Sequence, residues 1–128
     1  FIFDGKSMSV SSKNPKFFSS SIVGGILPIA LGVAKSNKIN KNFKQTVWCF
    51  IGDMTAETGL FHEVYKYSKN FKLNIKFVIE DNRLSTNTPT HKAWNRKKFF
   101  NHKNYKDVIY YRYNSKYPHH GTGKWVLF

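Results

Sequence analysis

"TVWCFIGDMTAETGLFHEVYKYSKNFKLNIKFVIEDN" occupies residues 46–82 of a 128-residue chain. Its first part, "TVWCFI" (46–51), is a short apolar run rich in strand formers, the pattern of a strand covered on both faces. Gly52 and Asp53 end the run. "AETGLFHEVYKYSKNF" (56–71) then reads as a helix with Leu60, Phe61, Val64, Tyr65 and Phe71 on one face and Thr55 as its cap. "NIKFVIE" (74–80) reads as a second strand that stops at Asp81-Asn82. A strand, a helix and a strand within about 35 residues make a βαβ unit, whose strands run parallel. The expected fold class is therefore α/β: a single domain with a mainly parallel sheet flanked by helices.

Outward from this unit the signals weaken. Residues 1–20 are rich in Ser, Lys, Asn, Gly and Pro and read as irregular, with Phe17-Phe18 as an apolar anchor. "IVGGILPIALGVAKS" (22–36) has the content of a buried helix. Pro28 is tolerated only in a first turn, so that helix starts near Gly25 to Leu27. Gly24, Gly25 and Gly32 permit close backbone approach. Residues 37–45 read as a polar connection, and residues 83–105 as turn-rich with one short helix near 93–99. "DVIYYRYN" (107–114) is a third strand, and the tail 117–128 ends in a possible short strand.

Composition narrows the class. With 41% hydrophobic and 17% aromatic residues the chain can build a modest core. The longest apolar stretch, Ile22 to Ala34, holds three glycines and a proline and is too short to span a bilayer. The single cysteine, Cys49, lies inside an apolar run and reads as a packed thiol. No secretory signal pattern opens the chain, so a cytoplasmic protein is expected. The chain begins at Phe1 and reads at once as loop, the opening expected of a fragment of a longer protein. The formal charge is +14, but the lysines are scattered and only Arg96-Lys97-Lys98 cluster, which argues against a nucleic-acid interface.

The chemistry sits where the strands end. Parallel strands put their carboxyl ends on one edge, where ligands bind. Asp53 follows one such end and Asn82 the other, 29 positions later. An unpaired carboxylate at a buried strand end is costly and calls for a positive partner. A carboxylate, an amide oxygen and a backbone carbonyl are hard oxygen ligands that suit Mg²⁺ bridging to phosphate. The helix after Asp53 would aim its amino terminus at the same place.

"GDMTAETGLFHE…FVIEDN" resembles the thiamine diphosphate motif, a Gly-Asp-Gly followed roughly thirty residues later by Asn. With "GKSMS" (5–9), "SSIVGGILPIALGVA" (20–34), "VWCFIGD" (47–53) and "FHEVYKYSKNFKLNIKFVIEDNRLSTNTP" (61–89), the chain is similar, in order, to the alpha subunit of the 2-oxo acid dehydrogenase family, with acetoin dehydrogenase and transketolase-like relatives sharing the pattern. The resemblance covers residues 5–90; residues 91–128 are a weakly matched extension of the same diphosphate- and Mg-binding domain. It implies that Asp53 and Asn82 ligate Mg²⁺ through side-chain oxygens and Leu84 through its carbonyl. It implies that Gly52, Met54 and Thr55 lie along the diphosphate of thiamine diphosphate. Ser21, Ile22, Val23 and Gly24 would sit against the aminopyrimidine, and Ser7 and Met8 near the entrance. The implied reaction is acyl-transferring decarboxylation of a 2-oxo acid, on a small carbonyl substrate. The activating glutamate of the family belongs to a pyrimidine-binding domain, often on a partner chain; none of Asp4, Asp53, Glu57, Glu63, Glu80, Asp81 and Asp107 matches it in context. A homo- or hetero-oligomer, inactive as an isolated chain, is expected.

Three departures mark the match. Met54 replaces the second glycine and would be strained at positive φ. Ser9 stands where a histidine is usual, and Asp81 where many relatives have Asn. Rival readings are a transketolase-like or sugar-directed enzyme, a noncatalytic assembly partner, and a basic nucleic-acid-binding protein. Among isolated residues, His62 reads as a surface or packing residue of the helix, Glu63 equally as a loop-orienting carboxylate or a solvated helix face, Trp48 as core, His91, His102 and His119-His120 as loop histidines, and "GTG" (121–123) as a turn.

Overall fold

A computed structural model describes residues 9–95, 101–119 and 122–126. The elements follow in chain order as β1 (Ser11–Ser12), β2 (Phe17–Phe18), α1 (Ile26–Ile39), β3 (Val47–Gly52), α2 (Asp53–Ala56), α3 (Gly59–Asn70), β4 (Ile75–Asp81), β5 (Leu84–Ser85), β6 (Thr88–Pro89), α4 (Thr90–Ala93), a 3-10 turn (His102–Asn104) and β7 (Val108–Arg112). The main sheet has the order β3-β4-β7. Both pairings are parallel, with Val47 opposite Ile75 and Phe77 opposite Val108. This is the expected α/β architecture, and β4 is its central strand.

One face of the sheet carries the core. Cys49 and Ile51 of β3 and Ile75, Phe77 and Ile79 of β4 alternate inward and meet Leu27 and Ala34 of α1 and Phe61 and Val64 of α3. Phe61 is fully buried and meets Phe77 edge-on at 5.5 Å between ring centroids. Cys49 is buried as expected, and burial pushes its thiol pKa up to about 12. Asp107 bonds to both Lys69 and Lys76, which ties α3 and β4 to the start of β7.

The other face of the sheet is open in part, which corrects the expectation of a strand covered on both sides. Trp48 and Phe50 of β3 are 55% and 52% exposed, so Trp48 is not core. On the same face Ile109 and Tyr111 of β7 are exposed too. The residue pattern misled because continuous apolar runs do not report which face has a covering layer.

Local differences have physical causes. The expected helix over 56–71 is two helices: the one-turn α2 starts at Asp53 itself, and α3 starts at Gly59. Thr58, not Thr55, is the cap of α3; its hydroxyl accepts from the Phe61 N–H at 3.3 Å. The first helix runs past residue 37 to Ile39, and Asn40 follows it. Residues 1–20 contain a short hairpin, β1-β2, and its Phe17 and Phe18 are exposed rather than anchoring. Gly32 faces open space, so no close approach explains it. The short helix expected near 93–99 begins earlier, as α4, and residues 96–100 lie outside the described ones. No strand forms at 122–126.

Candidate diphosphate and cation site

Parallel pairing brings Gly52 level with Glu80, so Asp53 and Asp81 stand side by side and Asn82 lies just beyond. Above these strand ends opens a cleft of about 740 Å³. Ser21, Ile22, Val23, Gly24, Gly52, Met54, Thr55, Asn82 and Leu84 all line it. Nine residues assigned to cofactor and cation by resemblance therefore line one cleft, although they come from three separate segments. Asp53 is the exception. It is 5% exposed and does not line the cleft.

Each wall has a local reason. Ser20–Gly24 precede α1, with the Ile22 N–H bonded to the Ser20 hydroxyl at 3.1 Å. Gly24 has φ +77°, and a Cβ there would come within 3.2 Å of the Leu60 side chain. The positive φ calls for glycine at this position, and a side chain would also press on the Leu60 methyl. Gly52 has an ordinary φ of −77°. A Cβ on it would meet nothing within 4 Å, so glycine here leaves cleft space open instead of permitting a turn. Met54 lies within α2 and has no positive φ, so the anticipated strain is absent. Its Sδ accepts from the Trp94 indole N–H at 3.1 Å.

The two carboxylates at the strand ends are treated differently. Asp81, 2% exposed, receives the Arg83 N–H at 2.9 Å on Oδ1. Its Oδ2 receives the Tyr110 hydroxyl and both Nε and Nη2 of Arg112 at 3.0 Å. Among the described side chains, one donates to the Asp53 carboxylate: the Thr90 hydroxyl, to Oδ2. Its Oδ1 is buried with no hydrogen-bond partner among the described residues. Burial raises the Asp53 pKa above the usual carboxylate range; the Thr90 hydroxyl opposes the shift and the neighbouring Asp81 charge adds to it.

Asn82 is set by an Asx turn. Its Oδ1 accepts the Leu84 N–H at 3.0 Å, and its Nδ2 donates to Ser115 at 3.3 Å. The Thr90 N–H donates to the Arg83 carbonyl at 3.0 Å, and Leu84 pairs with Pro89. Leu84 and Pro89 are thus a non-hydrogen-bonded pair, and the hairpin ladder does not consume the Leu84 carbonyl. A buried orphan carboxylate oxygen, an amide oxygen and an unused carbonyl fit a hard divalent cation. The oxygen set fits by the chemistry of its donors.

The sequence of this site matches a known family over most of its length. The profile of the family described as dehydrogenase E1 component matches residues 3–115. The chain belongs to the dehydrogenase E1 component family. This E1 chain is 33% identical over 90 residues to the pyruvate dehydrogenase E1 component subunit alpha of Zymomonas mobilis, a span covering 70% of the chain and 25% of that protein. It is 35% identical over 74 residues to the subunit alpha of Acholeplasma laidlawii, covering 58% of the chain and 21% of that protein. Against the testis-specific mitochondrial subunit alpha of Rattus norvegicus it is 36% identical over 84 residues, covering 66% and 21%. The E1 chain thus spans about a quarter of the length of the curated relatives it matches.

The sequence reading did not assign several wall residues to the cleft, among them Phe50, Glu80, Tyr113 and His119. Glu80 was legible in principle, because it sits opposite Gly52 at the last paired position of β4. Tyr113 and His119 follow β7 and arrive only through tertiary placement. His62 is exposed and pairs with the Tyr105 hydroxyl at 3.1 Å, Glu63 is exposed, and His102 stacks on Tyr110 at 4.5 Å. His91 begins α4 just after Thr90. Among the described residues no three His, Cys, Asp or Glu side chains form a metal group, so a cation here would rest on mixed oxygen donors. Ser7, Met8 and His120 lie outside the described residues.

Proposed function

We propose that this E1 chain is the diphosphate- and cation-binding part of a thiamine diphosphate-dependent 2-oxo acid dehydrogenase, alpha-subunit-like. The observation that carries the reading is the buried, unpartnered Asp53 Oδ1 at the strand edge under a cleft walled by the residues of the motif. Asp53, Asn82 and the Leu84 carbonyl would hold Mg²⁺. Gly52, Met54 and Thr55 would receive the diphosphate, and Ser21, Ile22, Val23 and Gly24 the pyrimidine. When bound, thiamine diphosphate supplies the electron sink for cleaving the bond beside a substrate carbonyl. The chain's own residues bind and orient: the open space at Gly52 admits phosphate oxygens, and the Gly24 turn brings backbone to the cleft wall.

The activating glutamate belongs, in this proposal, to a pyrimidine-binding domain of a partner chain or of the same longer protein. The exposed Ile22, Val23, Trp48 and Phe50 support such cover, since parallel sheets are ordinarily buried on both faces. Cytoplasmic placement belongs to the proposal as well, and the free, buried Cys49 thiol is compatible with a reducing compartment.

Calorimetric titration with thiamine diphosphate, with and without Mg²⁺, tests the reading beside Asp53→Ala. Magnesium-dependent binding that the variant loses supports it. Absence of binding by the full natural protein with its partner sinks it and leaves the noncatalytic assembly partner. Magnesium-dependent binding with ketol transfer in place of decarboxylation would select the sugar-directed alternative.

A further inference from the structure

Among the described side chains, a single neutral donor holds the Asp53 carboxylate, from one side. That donor, Thr90, begins α4, 37 positions along the chain. Its hydroxyl occupies Oδ2 and leaves Oδ1 alone. A lysine or arginine in its place would neutralise the carboxylate, as Arg112 does for Asp81. A hydroxyl orients the carboxylate and leaves its charge for a cation.

The same residue reaches the other strand end. Its backbone N–H bonds to the carbonyl of Arg83, the residue after Asn82, at 3.0 Å. One turn beyond Thr90, at the C-cap of α4, the Trp94 indole holds the Met54 thioether. Residues 90 and 94 share a helix face, so they clasp the consecutive residues 53 and 54. Met54, the departure from the Gly-Asp-Gly pattern, is thus gripped by a partner that suits a side chain.

We propose that Thr90 is a positioning residue that fixes the Asp53 carboxylate for a divalent cation by its side chain and ties the Asp53 and Asn82 strand ends together by its backbone. This rests on the cation reading of Asp53. Supporting partners of metal ligands commonly change affinity by about 10- to 100-fold when removed.

The test uses the full natural protein with any partner it requires, stripped of metal and saturated with thiamine diphosphate. Mn²⁺ is the probe, and free Mn²⁺ is read by electron paramagnetic resonance. Thr90→Val removes the hydroxyl and keeps the backbone N–H; Mn²⁺ binding should weaken by about 10- to 100-fold. Thr90→Ser restores the donor and should restore the affinity. Thermal melts without metal show whether each variant is folded, and Thr90→Ala replaces the valine variant if it is not. Unchanged Mn²⁺ affinity in the hydroxyl-free variant, with Asp53→Ala abolishing binding, overturns the role of Thr90 alone. Mn²⁺ binding that survives Asp53→Ala overturns the cation reading and this inference with it.

Discussion

Asp53 and Asp81 stand at adjacent ends of β3 and β4, both nearly shut off from solvent. One is a finished structural site and the other is an unfinished one. Asp81 has a guanidinium, a phenol and a backbone N–H. Asp53 has one threonine hydroxyl and, among the described residues, an oxygen with no hydrogen-bond partner. A buried anion that the fold has not neutralised itself marks where an external cation belongs. The difference also shows that burial and residue type do not separate structure from function. The partner list does.

The contrast breaks most visibly at Arg112. Arg112→Ala leaves Asp81 buried without its cation and should cost about 3 kcal/mol in denaturant unfolding. A smaller loss, near that of an exposed pair, would mean that water replaces the guanidinium. Completing the other site should stabilise by a similar amount: Mg²⁺ with thiamine diphosphate at about 100-fold over Kd adds about 2.7 kcal/mol. That gain should vanish in Asp53→Asn, and the check is the melting temperature with and without ligands. Tyr110→Phe removes one donor to the Asp81 carboxylate and should cost about 1.5 kcal/mol.

The smallest effect has the opposite sign. Asp53→Asn should stabilise the metal-free protein at pH 7 by about 1 kcal/mol. The Asp53 pKa is raised in the fold. The folded state therefore holds its proton more tightly than the unfolded chain. The penalty builds as pH climbs from the unfolded value through the folded one. The advantage of the variant should accordingly fade in acid, below the unfolded carboxyl pKa of about 3.9. Denaturant titrations of both proteins at pH 7 and pH 3 decide this.

Much of the fold that carries this contrast was legible in the sequence. The βαβ unit followed from two apolar runs and the helical pattern between them, and the strand ends placed Asp53 and Asn82 together. Rules of local sequence reach that far because period and punctuation are local properties. The motif resemblance, not periodicity, supplied Ser21 to Gly24 and Leu84 as neighbours of the site. What stayed hidden depended on distant partners. Nothing near Asp81 announces Arg112, 31 positions away. Nothing near Asp53 announces Thr90. The open face of Trp48 and Phe50 was hidden for a related reason, since an apolar run does not say which of its sides has a covering layer.

The strand order adds a consequence for motion. Among the described strands β4 is paired on both sides and β3 on only one. Backbone amides of an outer strand generally open at lower cost than those of a central one. Asn82 thus hangs from the slowest-exchanging part of the sheet and Asp53 from a faster one. A ligand that bridges the two would lend the protection of β4 to its neighbour. Hydrogen-exchange rates across Val47–Gly52 should fall on loading with cation and cofactor, while those across Ile75–Asp81 change little.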